Sequence, residues 1–276
     1  MGTRVRNRIV LVVACGVAAA MTATASAQPS AVKPPPSIKS AGKLVFCTDA
    51  TYPPEESFQG GKIVGSDIDI ASGVAKQMGV GVEFKNTGFD GIIAALQTKR
   101  CDAIISGMND TPQRRKQVNF VNYLAVGQSI MVRKGDTNNI STLASLSGHT
   151  VSVESGTTNR DFLVASSKKL VQQGKDAIDI KTFPKDTDAF AALKANRVDA
   201  YFADAPPVAY YAKTDTSVVV AGHPINPFPI GIAVRKGDPL RGATQKAINQ
   251  LYASGAMKKI VARWGMTNAV VLLKKR

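Results

Sequence analysis

From Leu44 onward the chain changes its apolar period again and again. Short continuous runs (residues 44–48, 80–86, 101–107, 149–156, 177–183, 198–204 and 216–222) read as buried strands. Between them, apolar residues recur at three- and four-residue spacing over 66–79, 90–100, 157–173, 188–197 and 207–213, the period of an amphipathic helix. A Thr-Pro pair at 111–112 opens another helix, since Thr111 can cap and Pro112 suits the first turn. Residues 241–265 read as two amphipathic helices, and 48–62, broken by Pro53-Pro54 and Gly60-Gly61, as a loop. Strands alternating with helices predict parallel, doubly wound α/β sheets.

Two echoes organise the pattern. VRKGD occurs at 132–136 and again at 234–238, each time ending an apolar run. AALQTKRCDAIISG (94–107) and AALKANRVDAYFAD (191–204) share both Ala-Ala-Leu triplets, the pairs Arg100/Arg197 and Asp102/Asp199, and Ala103/Ala200. The offsets are nearly in phase, so the reading is two similar α/β halves and not a solenoid of many short repeats. A common way of ending a strand would also produce VRKGD. If 128–136 carries the chain from the first half to the second and 229–238 carries it back, two strand crossings join the lobes. Such a hinge permits closure about a ligand, and the carboxyl ends of the parallel strands should face the cleft.

The first residues stand apart from this pattern. MGTRVRNR is basic, residues 9–21 are apolar, and Ala25-Ser26-Ala27 fits a small-x-small cleavage rule, so 1–27 reads as a secretory signal peptide and the protein as periplasmic. The alternative is a lipid anchor at Cys15, in Val12-Val13-Ala14-Cys15. Residues 28–42, with three consecutive prolines, read as an extended tether outside the core. The domain reading is then 43–128 with 229–276 as lobe I and 129–228 as lobe II.

Charge and cysteines add little chemistry. The chain holds 35 basic and 20 acidic residues; without the three leader arginines the balance is about +12. The basic residues are scattered, with no aromatic-interleaved stretch, so no nucleic-acid partner is expected. Cys47 and Cys101 lie at opposite ends of their apolar runs, beyond disulfide reach, and are expected as two buried thiols. Two histidines far apart offer no ligand spacing, and no metal or other cofactor is expected.

The chemistry lies in the loops after strand ends: 48–52, 107–114, 154–159 and 203–207. Arg114 sits in a first helical turn, where a cation opposes the dipole, and its planar fork suits a carboxylate; alternatively it belongs to a surface run of basic residues. Asp204 faces the cleft or caps the next helix. Gly107 lets backbone approach a ligand. Thr158, with Gly156 and Thr157, offers free N–H groups and hydroxyls at a helix start, or only a cap. Tyr52 and Phe89 wall a pocket or are core aromatics, and Asp49 reads a cationic or amide group or holds its own loop. One cation and one anion flanking a helix N-terminus match a zwitterion, an α-amino acid.

The order LVFCTDATYPP, GFDGIIAALQTKRCDAIISGMNDTPQRRKQVNF, VSVESGTTN, VDAYFAD and IVARWG resembles the polar-amino-acid solute-binding proteins of ABC importers, extracellular solute-binding proteins of family 3, over residues 43–265. The resemblance implies the two-lobed periplasmic-binding-protein fold. It implies capture of a polar L-amino acid, with a cationic or amide side chain favoured, by a non-catalytic monomer that serves an inner-membrane ABC permease and its ATPase. It also implies that Arg114 and Thr158 hold the α-carboxylate and Asp204 the ammonium, helped by Gly107 and Asn109. Asp49, Tyr52, Phe89 and Asn159 would line the side-chain pocket. Asn109 replaces a usual Ser or Thr, Gln113 a common Glu, and Glu55 and Ser66 usual apolar residues; Glu55 would add negative charge near the pocket mouth. The alternatives are a cyclohexadienyl or arogenate dehydratase-like enzyme, with Glu154 or Asp49 as the acid, and a ligand-presenting sensor.

Overall fold

The structure, a computed structural model, describes residues 1–3, 32–136 and 138–273. The leader with its Ala27 and Cys15 alternatives falls outside them, except for residues 1–3. The elements in chain order are α1 (Pro36–Ala41), β1 (Lys43–Thr48), β2 (Thr51–Tyr52), β3 (Glu56–Gln59), β4 (Lys62–Val64), α2 (Ser66–Gln77), β5 (Gly81–Asn86), α3 (Ile92–Gln97), β6 (Ala103–Ile104), α4 (Pro112–Arg115) and β7 (Val118–Arg133). Then follow β8 (Thr150–Glu154), α5 (Thr158–Gln172), β9 (Asp179–Phe183), α6 (Asp186–Lys194), β10 (Ala200–Asp204), α7 (Ala205–Thr214), β11 (Val218–Arg235), α8 (Leu240–Ala253), α9 (Ala256–Arg263) and β12 (Val270–Leu272).

The main sheet runs β5-β1-β6-β11-β7-β10-β8-β9, with β12 added to β7. β5, β1 and β6 are mutually parallel, as are β10, β8 and β9. β11 and β7 are each antiparallel to the neighbouring parallel set. The fold is therefore two lobes, each a mostly parallel sheet flanked by helices. β7 and β11 pair with each other from Val218↔Arg133 to Arg235↔Val118 and thread both lobes. Their register breaks between Ala221 and Ile225 and again by Phe228, where the chain crosses. The crossings are longer than the apolar runs suggested. Residues 216–222 and 229–238 fuse into one strand, and the helix opened by Thr111 ends after one turn because β7 already begins at Val118.

Both echoes belong to one device. Arg133 donates from Nη1 to the Leu193 and Val198 carbonyls and from Nη2 to Asp136. Arg235 donates from Nη1 to the Leu96 and Cys101 carbonyls and from Nη2 to Asp238. Each VRKGD arginine thus ties down the turn that follows an Ala-Ala-Leu helix, and it does so in the half it returns to. Asp102 accepts from the Val45 amide and Asp199 from the Thr150 amide in the same way.

Three expectations need correction. Cys47 and Cys101 form a disulfide, with Cα atoms 5.7 Å apart, inside the usual bridging range. Cys101 does not start a strand: β6 begins at Ala103. The turn after α3 passes through a left-handed Lys99 and returns the Arg100 amide to the Ala95 carbonyl, which lays Cys101 over β1. Residues 32–42 are not a free tether. Proline suits the first turn of a helix, and α1 starts there with Ile38 buried and Gly42 as its left-handed cap. Val32 and Ile38 join the core formed by α2, α8 and the sheet. The loop expected over 48–62 forms β2, β3 and the start of β4, an antiparallel meander. Its tip is Gly60-Gly61, both at positive φ, the two-residue hairpin that alternation around Gly-Gly signals.

Candidate functional site

The carboxyl ends of β1, β6, β8 and β10 converge on one pocket between the lobes. It is lined by Asp49, Tyr52, Glu56, Phe89, Ser106, Gly107, Asn109, Glu154, Thr157, Thr158, Asn159 and Asp204. Eight of the nine residues expected from sequence line this wall. The ninth, Arg114, lies directly behind it. Its guanidinium sits 5.2 Å above the centre of the Phe89 ring. It donates from Nη1 to the Asn109 carbonyl at 3.0 Å and from Nη2 to the Gly156 carbonyl at 3.2 Å.

α4 exists to present Arg114. Thr111 caps it by accepting from the Arg114 amide, and Pro112 fixes the first turn. Burial pushes the guanidinium down to about 10, against the pull of Asp204 and Asp161, so it stays charged at neutral pH. Two of its five N–H groups are used by the carbonyls, which leaves donors for an anion. Arg115 instead forms a paired contact with Asp110 at the surface.

Asp204 ends β10 and precedes α7, yet its side chain makes no cap hydrogen bond. The capping alternative therefore does not consume its carboxylate. Burial pushes the carboxyl up to about 6, offset by hydrogen bonds from Asn159 and Tyr52 and by Arg114. Its amide donates to the Tyr52 hydroxyl at 3.1 Å, a bond between the lobes. Asn159 also accepts from the Gln128 amide at 2.8 Å. Thr157 caps α5 by accepting from the Arg160 amide. Thr158 is thereby freed to donate its hydroxyl to Asn109 Oδ1 at 2.6 Å, again across the cleft. With Arg114–Gly156, Ser155–Asp90 and Asp186–Thr51, these bonds hold the cleft closed.

Gly107 has φ +50, and a Cβ there would lie 3.4 Å from the Tyr52 ring. Its amide donates to Asp67 Oδ2, which also accepts from the Tyr123 hydroxyl. Asp67 stands in the first turn of α2 and fixes this glycine from beneath. Burial pushes Asp67 up to about 6.

Asp49 holds its own loop. Oδ1 accepts from the Thr51 hydroxyl, Oδ2 from the Phe89 amide at 2.7 Å, and its amide donates to Ser106 Oγ. Ser106 Oγ donates onward to Glu56 Oε1 at 2.8 Å. Desolvation nonetheless raises the Asp49 carboxyl above its usual range. Glu55 is not a charge at the pocket mouth. It is 1% exposed, and burial, then Asp67 and Asp204, push it well upward toward the neutral acid. Glu56 and Ser106 were missed; the signal for Ser106 was its position one residue before Gly107, and Glu56 lay in a stretch read as loop. Glu154 was named only as a proton donor for the enzyme alternative. Among the described residues no cluster of three or more His, Cys, Asp or Glu could hold a metal ion.

A closed pocket between two hinged α/β lobes, lined by strand-end loops from both, defines a binding protein of the bilobal, cleft-closing class. The chain belongs to the bacterial extracellular solute-binding proteins, family 3, whose model matches residues 44–267. It is 33% identical over 231 residues to ABC transporter arginine-binding protein 1 of Escherichia coli (strain K12), covering 81% of this chain and 91% of that protein. It is 30% identical over 232 residues to the L-cystine-binding protein TcyJ of the same strain, covering 82% and 84%. Among solved structures it resembles the ancestral amino acid-binding protein AncCDT-1, a precursor of cyclohexadienyl dehydratase. That match has a TM-score of 0.76 and 36% identity, covering 83% of this chain and 97% of the other.

Proposed function

We propose that this chain is the receptor of an ABC importer that captures an L-α-amino acid with a cationic or amide side chain and hands it to a permease. Arg114 and the start of α5 take the α-carboxylate, and Asp204 with Gly107 and Asn109 takes the ammonium. Asp49, Tyr52, Phe89 and Asn159 surround the side chain. The observation that supports this reading is a charged Arg114 directly behind the wall of the pocket on one side of the cleft and an uncapped, buried Asp204 in the wall on the other. A zwitterion touching both favours the closed state, because a ligand shifts a conformational equilibrium only through its differential contacts. The division into 43–128 with 229–276 against 129–228, the periplasmic location, the monomeric state and the inner-membrane permease with its ATPase belong to the same proposal.

The named relatives above are binding proteins, and the dehydratase alternative is not favoured. The test is calorimetry of the mature protein against the twenty standard L-amino acids and L-cystine. Saturable binding of one of them, lost in Arg114→Ala, is expected. Turnover of prephenate or arogenate with no amino-acid binding would reverse the assignment.

A further inference from the structure

Resting on that amino-acid reading, we propose that Glu154 is the specificity-determining residue of the pocket, and that it selects a ligand whose side chain ends in a cation, a guanidinium or ammonium, over its neutral amide or urea analogue. Four carboxyls line the pocket, on Asp49, Glu56, Glu154 and Asp204, and no Lys, Arg or His does. A bound zwitterion offers one ammonium, which Asp204 takes. Of the other three, Asp49 already receives Thr51 and Phe89 on its two oxygens, and Glu56 receives Ser106 on Oε1 while its Oε2 has no partner. Glu154 is the third. It is 4% exposed, lines the pocket, and its Oε1 meets no donor. A buried polar atom left without a partner costs about 1–3 kcal/mol, more for a charged group, so the site is incomplete until a donor arrives.

The residue is also rigidly placed. It is the last residue of β8, paired in register with Phe183 of β9, and its carbonyl accepts from the capping Thr157 hydroxyl at 2.8 Å. Burial, and then the carboxyls of Asp186, Asp49, Asp90 and Asp204, push its own carboxyl well upward, toward the neutral acid. A cation entering beside Glu154 meets carboxyls contributed by both lobes. A neutral amide gains one hydrogen bond and leaves the field uncompensated. Glu154 lies on lobe II and Asp49 on lobe I, so a distal cation would also bridge the cleft.

The experiment compares L-arginine with L-citrulline, its neutral isostere, and L-glutamine, by calorimetry on the wild type and on Glu154→Gln. The wild type should bind arginine about 10- to 100-fold tighter than citrulline, the range expected for a hydrogen bond between charged groups. Glu154→Gln should bring the two within about threefold, chiefly by weakening arginine. The wild-type ratio stands as a test even if the variant does not fold. Citrulline or glutamine binding as tightly as arginine, or an arginine preference retained in Glu154→Gln, overturns the role of Glu154 and leaves the amino-acid reading intact. If no standard amino acid and not L-cystine binds, the amino-acid reading falls and this inference falls with it.

Discussion

Arg114→Ala tests the site at its most committed residue. The guanidinium makes two bonds, to the Asn109 and Gly156 carbonyls. The second crosses the cleft, so truncation removes closure energy as well as a ligand contact. A hydrogen bond from a charged group contributes about 1.5–3 kcal/mol. Truncating one partner of a buried, hydrogen-bonded charge pair costs about 2–5 kcal/mol, largely by stranding the other charge. With L-arginine as probe, affinity should therefore fall about 30- to 4,000-fold. Arg114→Lys keeps the charge but loses the fork and the stacking on Phe89, and should fall between wild type and alanine. Calorimetry gives the affinity, and melting without ligand shows that each variant is folded. An alanine variant that is folded and binds within threefold of wild type would refute the assignment of Arg114 to the carboxylate.

Other outcomes follow from the same geometry. Replacing both Cys47 and Cys101 by Ala opens a bridge spanning 54 residues; on loop-entropy grounds stability should fall by about 4 kcal/mol, read by urea melts, and an unchanged midpoint would mean the bond does not form. Arg235→Ala and Arg133→Ala each remove two carbonyl bonds and an ion pair. Each should lose about 3 kcal/mol and 6–12 °C of melting temperature, and unequal losses would break the equivalence of the two clamps. Asp204, pushed up to about 6 in the empty pocket, must be ionised to hold an ammonium, which lowers its pKa on binding. Affinity should accordingly be full above pH 7 and fall as pH drops through 6, approaching tenfold per unit. A flat profile from pH 4.5 to 8 would exclude Asp204 as the ammonium partner.

Much of this was legible because strand ends are where α/β sheets place ligands, and loop residues after apolar runs can be read off directly. Arg114, Asp204, Gly107 and Thr158 were visible for that reason. What escaped depended on turns that change where a residue points. Cys101 reads as the first residue of a strand, but a left-handed Lys99 sets it over β1. The proline run at 34–36 reads as extended, yet Pro36 starts a helix whose Ile38 reaches the core. Asp49 reads as a ligand contact or as the anchor of its own loop; it lines the pocket, and both of its carboxyl oxygens accept within its own lobe. Glu154 gave no signal as a pocket wall, since a charged residue ending an apolar strand is ordinarily a solvated one; only the packing of β9 and α5 around it shows that it is buried.

The echo that divides the chain into halves also explains where the pocket lies. In the gapless alignment of 94–107 with 191–204, Gly107 of one half corresponds to Asp204 of the other. Both line the pocket, so it sits where the same point of each half meets its counterpart. Tyr52 stands between them: its hydroxyl accepts from the Asp204 amide, and its ring faces Gly107 within 3.4 Å of where a Cβ would be. A symmetric pair of strand ends would suit a symmetric ligand. Here one end has lost its side chain and the other carries a carboxylate. A bare backbone in one lobe and a buried acid in the other make the meeting point polar in one direction. An α-ammonium fits that point, with its carboxylate lying toward Arg114. The sequence repeat brings the two strand ends together, and glycine against aspartate is the difference between them that lies in the pocket wall.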